Sequence, residues 1–494
     1  MLKFTVLDLK DKLTETLIVP VCEDHNIHSH EGVREIMNHV ASIKEFKGKK
    51  DDQLILYDLP NVKVKRAIMV GVGKAAQLSC EAFRAGVGTA VHTCMKKGLT
   101  DIVIAAPDEQ KSGVDQAKLL KAMFEGAFLA NDSFDRYKEK KEYAALKSIS
   151  LLVVKETALA SKPLPAEVEA ICTGTIIARE WVNVPPNDKR PDRFAQAIKK
   201  ACTKTALLVR ILDEKILKTE KMGAMIAVAQ GSKSKPRLVI LEYKPRGAKR
   251  KVALVGKGVT FDTGGLNLKS GDGMAEMKMD MAGAAAVFGT MIALSGMKVD
   301  AHVIGVLPLV ENMLSGDSYR PSDIITSYSG KTIEIGNTDA EGRLILIDAM
   351  AWSEVNYAPD IMIDMATLTG ACVVALGEKI AGVFSGDDHL AESILASGER
   401  TYERCWRMPM PDDYKELLKS DFADISNMSH SKYGGAIAAA LFLSAFVRDT
   451  AWAHIDIAGP AYSKKATPYC GPGGTGFGVR LLCDLIQHLG QGIL

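Results

Sequence analysis

Ala67-Ile68-Met69-Val70-Gly71-Val72-Gly73 is an unbroken apolar run that stops at glycines. It has the length of a buried strand and falls short of a helix. Residues 75–97 then read as a helix. Asp101-Ile102-Val103-Ile104-Ala105-Ala106-Pro107 is the next strand, closed by its proline. Residues 114 to about 137 read as a second helix, and Ser148-Ile149-Ser150-Leu151-Leu152-Val153-Val154 as a third strand. Strand alternating with helix implies a mostly parallel sheet with helices on its faces. Gly71-Val72-Gly73-Lys74 lacks the spacing of a phosphate loop and reads as a strand-to-helix turn.

Downstream, Lys162-Pro163-Leu164-Pro165 interrupts the alternation, residues 166–183 read as a lone helix, and Pro185-Pro186 stops it. The expected organisation is an α/β protein of two domains. A smaller N-terminal α/β domain (1–162) is joined by a linker helix (163–186) to a larger C-terminal α/β domain (187–494) with a mostly parallel central sheet. In the second domain, residues 206–212, 238–243, 252–255, 301–307 and 361–365 read as extended and 281–295 as helical. A chain of 494 residues fits more than one core.

Hydrophobic residues make up 47% of the chain and charged ones 25%, as in ordinary globular proteins. With 62 basic and 60 acidic residues, the net charge of +2 exerts no global pull on nucleic acid or anionic membrane. Nine cysteines without a C-x-x-C pair point to free thiols in a reducing compartment. No basic stretch followed by an apolar one opens the chain, and no apolar run reaches bilayer-spanning length. A cytoplasmic protein without a membrane partner is expected. His25, His28 and His30 read as a solvated loop, residues 138–142 as a solvated helix end, and His454 as a core histidine.

The chemistry concentrates in two segments of the second domain. Gly256-Lys257-Gly258-Val259-Thr260-Phe261-Asp262-Thr263-Gly264-Gly265 follows the apolar run Val252–Val255, and ligand sites of open α/β sheets lie beyond the carboxyl ends of strands. In Asn337-Thr338-Asp339-Ala340-Glu341-Gly342-Arg343-Leu344, two carboxylates stand two residues apart, on one side of the chain if it is extended. Asp280 is a carboxylate between Met279 and Met281, a costly place for a charge without a cation. Together Asp262, Asp280, Asp339 and Glu341 can supply oxygen ligands to two divalent ions, an arrangement suited to hydrolysis.

These blocks resemble the leucyl (cytosol) aminopeptidase family. The resemblance rests on Gly336–Leu344, Val255–Gly265, Met277–Met281, Ala366–Ala371 and Trp452–Gly459, in family order and spacing. It implies a metal-dependent aminopeptidase that releases N-terminal residues from peptides, leucine and other apolar ones preferentially. It implies two divalent ions per subunit, manganese or zinc. Lys257, Asp262, Asp280 and Glu341 are the implied ligands of one ion. Asp262, Asp339 and Glu341, with the Asp339 carbonyl, are those of the other. A lysine ligand must be the neutral amine, since an ammonium has no lone pair. Lys269 is the implied stabiliser of the oxyanion, and Arg343 the holder of a bicarbonate that acts as general base. Met277, Thr367, Gly370 and Ala458, with Asn337 beside them, are the implied walls of the substrate pocket. The resemblance further implies a homohexamer, a dimer of trimers. Some bacterial relatives also bind DNA, so a nucleic-acid role of the N-terminal domain is a second reading.

Overall fold

The computed structural model describes residues 1–141 and 143–490. It divides into two compact units: Met1–Cys172 with Lys465–Pro472, and Thr173–Lys464 with Gly473–Leu494. The division falls inside the helix Leu164–Asn183. Pro165 lies in the first turn of that helix, where no backbone N–H is needed, so it opens the helix instead of breaking it.

The first unit is built on a six-stranded sheet. Its strands are β1 (Leu2–Thr5), β2 (Leu17–Cys22), β3 (Gln53–Tyr57), β4 (Arg66–Gly73), β5 (Asp101–Ala105) and β6 (Ser148–Leu152), in the order β1-β6-β5-β2-β4-β3. Every pair is parallel except β3 with β4. Strands β4 to β6 are the three read from the pattern. Strand β2 contains Pro20, which argues against a central strand. It is tolerated because β2 pairs with β5 only at Leu17 and Ile18, before the proline.

Two helix boundaries differ from expectation. The first helix starts at Cys80, where the Ser79 hydroxyl caps it by accepting from Ala82 N–H (3.2 Å). The second, Gln116–Ala130, ends well before 137. Asn131 closes it by exchanging two side-chain hydrogen bonds with the backbone of Leu146. The stretch 138–141 is therefore not a helix end, and Glu142 lies outside the described residues.

The second unit holds a nine-stranded sheet. Its strands are β7 (Leu208–Leu212), β8 (Arg237–Tyr243), β9 (Arg250–Gly256), β10 (Gly258–Asp262), β11 (Ala301–Asn312), β14 (Ile361–Ala366), β15 (Ala381–Ser385), β16 (Cys405–Arg407) and β18 (Ala451–Asp456). A small sheet of β12 (Ile324–Thr326), β13 (Thr332–Glu334) and β17 (Ile425–Ser426) accompanies it. At the centre, β18, β14, β9, β11 and β10 run parallel. One face of this core, with Ala253, Val255, Ile304 and Val306, packs on Leu344–Ile347 of the helix Glu341–Tyr357 and on the helix Gly435–Ser444. On the other face, Gly305 leaves room for Val287 and Met291 of the helix Ala282–Gly296.

Strand β11 runs five residues past its expected end at Leu307. Pro308 sits between the last β9 pair, Val306 with Val255, and the first β10 pair, Leu309 with Gly258, so its missing N–H falls where the neighbour changes. The extension carries Asn312 to the carboxyl edge of the sheet. Residues Gly271–Gly296 are long and apolar enough to cross a membrane by length and composition, contrary to expectation. Their apolar window is 78% buried within the protein, as for a core helix.

Candidate active site

The carboxyl ends of the five parallel strands converge on one place. Lys257 follows β9, Asp262 ends β10, Asn312 ends β11, Thr367 follows β14 and Asp456 ends β18. This is where an open α/β sheet presents loops to a ligand.

Lys257 is buried, and its Nζ donates to Asp280 Oδ1 (2.7 Å) and Thr367 O (3.0 Å) and pairs with Glu341 Oε1 (3.0 Å). Asp280 stands at the end of the 3-10 turn Gly271–Met279, and Thr367 Oγ1 donates to its Oδ1 (2.8 Å). Glu341 is the first residue of its helix, not part of an extended stretch. Asp339 therefore lies in a turn, and the two carboxylates come together through a helix start and not through strand alternation. Gly342 makes this possible, because a Cβ there would lie 2.4 Å from Lys257 Cε.

Lys269 Nζ pairs with Asp262 Oδ2 (2.8 Å) and Asp339 Oδ1 (2.5 Å). Asp262 is fixed from its other oxygen, which accepts from Gly264 N–H (2.8 Å) and Asn312 Nδ2 (2.9 Å). Gly264 has φ +86°, and a Cβ there would meet Asn267 O at 2.3 Å and Asp339 Oδ1 at 2.9 Å. Thr338 joins the two loops: its hydroxyl donates to Gly264 O (2.6 Å) and accepts from Asn267 N–H (2.8 Å). Its carbonyl takes hydrogen bonds from Asn312 Nδ2 (3.0 Å) and Tyr319 OH (2.7 Å).

Burial lowers the affinity of Lys257 and Lys269 for their protons, but the surrounding carboxylates outweigh it and hold both amines above the ordinary lysine value. Burial drives Asp280 well above the carboxylate range and raises Asp262 and Asp339. Four carboxylates thus face two ammonium groups at close quarters.

Arg343 is buried, and its Nη1 donates to Asn427 O (2.8 Å) while Nε has no protein partner. Burial lowers its pKa to about 10, against the pull of Glu341 and Asp456. Asn427, just beyond β17, accepts from Gly336 N–H (2.8 Å) and donates to Asn337 O (2.8 Å), shaping the turn that delivers Asp339. Asn337 Oδ1 accepts from Asp339 N–H (2.7 Å). Asp456 accepts from Leu368 N–H (3.2 Å), Thr369 Oγ1 (2.8 Å) and Ala458 N–H (3.1 Å). It thereby links the turn Thr367–Gly370 to Ala458. Gly370 is exposed at the start of its short helix, and Met277 is half-buried one turn before Asp280.

Sequence reasoning missed Asn312, Thr338, Tyr319, Asn427 and Asp456. A polar pair, Glu311-Asn312, closing a long apolar strand was a usable signal for Asn312. His454 is a core histidine, as expected, paired through Nδ1 with Asp364 (2.6 Å). His28 and His30 are bound to backbone carbonyls, with His28 buried, so that loop is not solvated throughout. Cys22, Cys80, Cys94, Cys202, Cys372 and Cys405 are free thiols.

A divalent ion fits this donor set. Oxygens of Asp262, Asp280 and Glu341 lie within 4.8 Å of one another, all three residues buried. Asp280 Oδ2 and Glu341 Oε2 are buried acceptors without a hydrogen-bond donor, an arrangement that is costly unless a cation meets them.

The chain matches the model of the cytosol aminopeptidase family catalytic domain over residues 176–483 and that of the family's N-terminal domain over residues 21–141. It is 42% identical to a probable cytosol aminopeptidase of Geobacter sp. (strain M21), over 92% of this chain and 91% of the relative. A probable cytosol aminopeptidase of Cenarchaeum symbiosum (strain A) is also 42% identical, over 91% of this chain and 92% of the relative. Among solved structures, the bottromycin maturation enzyme BotP in complex with Mn aligns with a TM-score of 0.85 and 32% identity, over 96% of this chain and 99% of that one. The chain belongs to the cytosol aminopeptidase family, and by that membership it is a metal-dependent aminopeptidase.

Proposed function

We propose that this aminopeptidase releases leucine and other apolar residues preferentially, and that it uses two divalent ions, manganese or zinc, together with bicarbonate. Lys257, Asp262, Asp280 and Glu341 would hold one ion; Asp262, Asp339 and Glu341, with the Asp339 carbonyl, would hold the other. When bound, the ions supply a polarised carbonyl and an acidified water, and bicarbonate supplies the base. Lys269 donates from Nζ to the oxygen that gains negative charge as water adds to the peptide carbonyl. Arg343, anchored through Nη1 on Asn427 O, offers its unpaired Nε N–H to a planar anion. Asp456 holds both Ala458 and the Thr367–Gly370 turn, so it steadies the apolar walls proposed for the first side chain.

The observation that carries the metal reading is the pair of orphaned buried oxygens, Asp280 Oδ2 and Glu341 Oε2, within one carboxylate cluster. Chelation should abolish cleavage of leucine amide, and manganese or zinc should restore it. Activity that survives thorough metal removal overturns the reading. Cleavage should also quicken with added bicarbonate, and Arg343→Ala should lose that response; equal responses in both proteins overturn the role of Arg343.

A cytoplasmic site of action is supported by the names of the relatives. A homohexamer is proposed on the family resemblance. Sedimentation as a 53.3 kDa monomer overturns it.

A further inference from the structure

Lys189 is fully buried, and no carboxylate is among its hydrogen-bond partners. Its Nζ donates to three backbone carbonyls: Trp181 O (2.8 Å), Val182 O (3.1 Å) and Lys278 O (2.5 Å). Burial without a carboxylate beside it pulls this amine well below the ordinary lysine value, while the three carbonyl acceptors match the three N–H bonds of an ammonium. Trp181 and Val182 belong to the last turn of the helix Leu164–Asn183, whose carbonyls have no partner within the helix and carry its negative pole. Lys278 belongs to the 3-10 turn Gly271–Met279, two residues before Asp280.

We propose that Lys189 is a positioning residue for the metal centre: its amine is the shared hydrogen-bond donor that clamps the segment carrying Asp280 onto the end of the helix Leu164–Asn183. The inference rests on the metal reading above. The 3-10 turn has poor internal hydrogen bonding and no side-chain cap at its start, so it does not hold Asp280 in place alone. A side chain without N–H groups at 189 would take this donor from three carbonyls, that of Val182 buried and those of Trp181 and Lys278 partly buried. The turn would then loosen, and the Asp280 carboxylate, already held by Lys257 and Thr367, would lose its backbone support.

The test is manganese binding to the full chain, followed by calorimetric titration at a temperature where circular dichroism shows each protein folded. Lys189→Met should weaken manganese binding about tenfold, the usual scale for losing support behind a metal ligand. Hydrogen exchange should quicken at residues 277–281 and stay unchanged in the helix Glu341–Tyr357. A variant with a lowered Tm but unchanged manganese affinity and unchanged exchange at 277–281 overturns the proposal, because it makes Lys189 a core residue only.

If Lys189→Met does not fold, the wild-type protein decides. Coupling is reciprocal, so manganese must slow exchange at residues 181–184. Manganese uptake without that protection overturns the clamp alone. A wild-type protein that takes up no manganese refutes the metal reading, and the clamp with it.

Discussion

Gly342 leaves room for Lys257 and for nothing more. A methyl group there would sit 2.4 Å from Cε and 2.7 Å from Nζ of the lysine. Gly342→Ala should therefore push Lys257 off Asp280 and Glu341, at an overpacking cost of about 1–3 kcal/mol. Cleavage of leucine amide should fall by orders of magnitude while far-ultraviolet circular dichroism stays native. Near-normal activity would show that Lys257 has freedom it lacks here. Asp456→Ala should leave Leu368 N–H, Thr369 Oγ1 and Ala458 N–H without their acceptor. We expect KM for leucine amide to rise severalfold with a smaller change in kcat, and an unchanged KM would detach Asp456 from the substrate pocket. The acids of the candidate site were legible from the glycine-rich loop around Asp262, the spacing of Asp339 and Glu341, and the methionines around Asp280, whereas the roles of Lys257, Lys269 and Arg343 came only from the family resemblance. Asn427 was not: it works through backbone groups of a turn ninety residues away, and no local pattern marks such a partner.

At the scale of elements, β14 and β18 are joined by a buried polar pair. Asp364 faces His454 in register, accepting from its Nδ1 at 2.6 Å and from Trp452 Nε1 at 2.8 Å. Burial works against a charged His454, but the carboxylates of Asp364 and Asp456 outweigh it and raise its pKa above the ordinary value. A raised folded pKa means that the native state binds the proton more tightly than the unfolded chain. The pair's contribution is thus complete below the unfolded value of about 6.5 and is lost as pH rises through the folded value. Urea midpoints should fall with rising pH across that range, and His454→Gln should flatten the slope. A slope identical in both proteins would assign it to other groups. The alternation of apolar runs made β4, β5, β6, β8 and β9 legible. Strand β2 was hidden by Pro20, and the last five residues of β11 by Pro308, since a proline reads as an end unless the neighbouring ladder is known. The same limit applied to Asp339 and Glu341: spacing by two suggested a strand, whereas Glu341 opens a helix.

For the whole molecule, two units predict two responses to metal. The carboxylate cluster lies wholly within the second unit. Manganese at about 100 times its Kd should stabilise that unit by about 2.7 kcal/mol. Scanning calorimetry should show the added stability in the transition that carries residues 173–464, followed by hydrogen exchange, and Glu341→Ala should abolish it. An equal gain in that variant would place the ion elsewhere. The ion pairs of Lys257 and Lys269 bear on what metal uptake must displace. The acidic groups that would hold a divalent ion are the same ones that these two amines contact. A cation taking those oxygens would compete with protons for the site, so its uptake should release protons to the solvent and strengthen as pH rises.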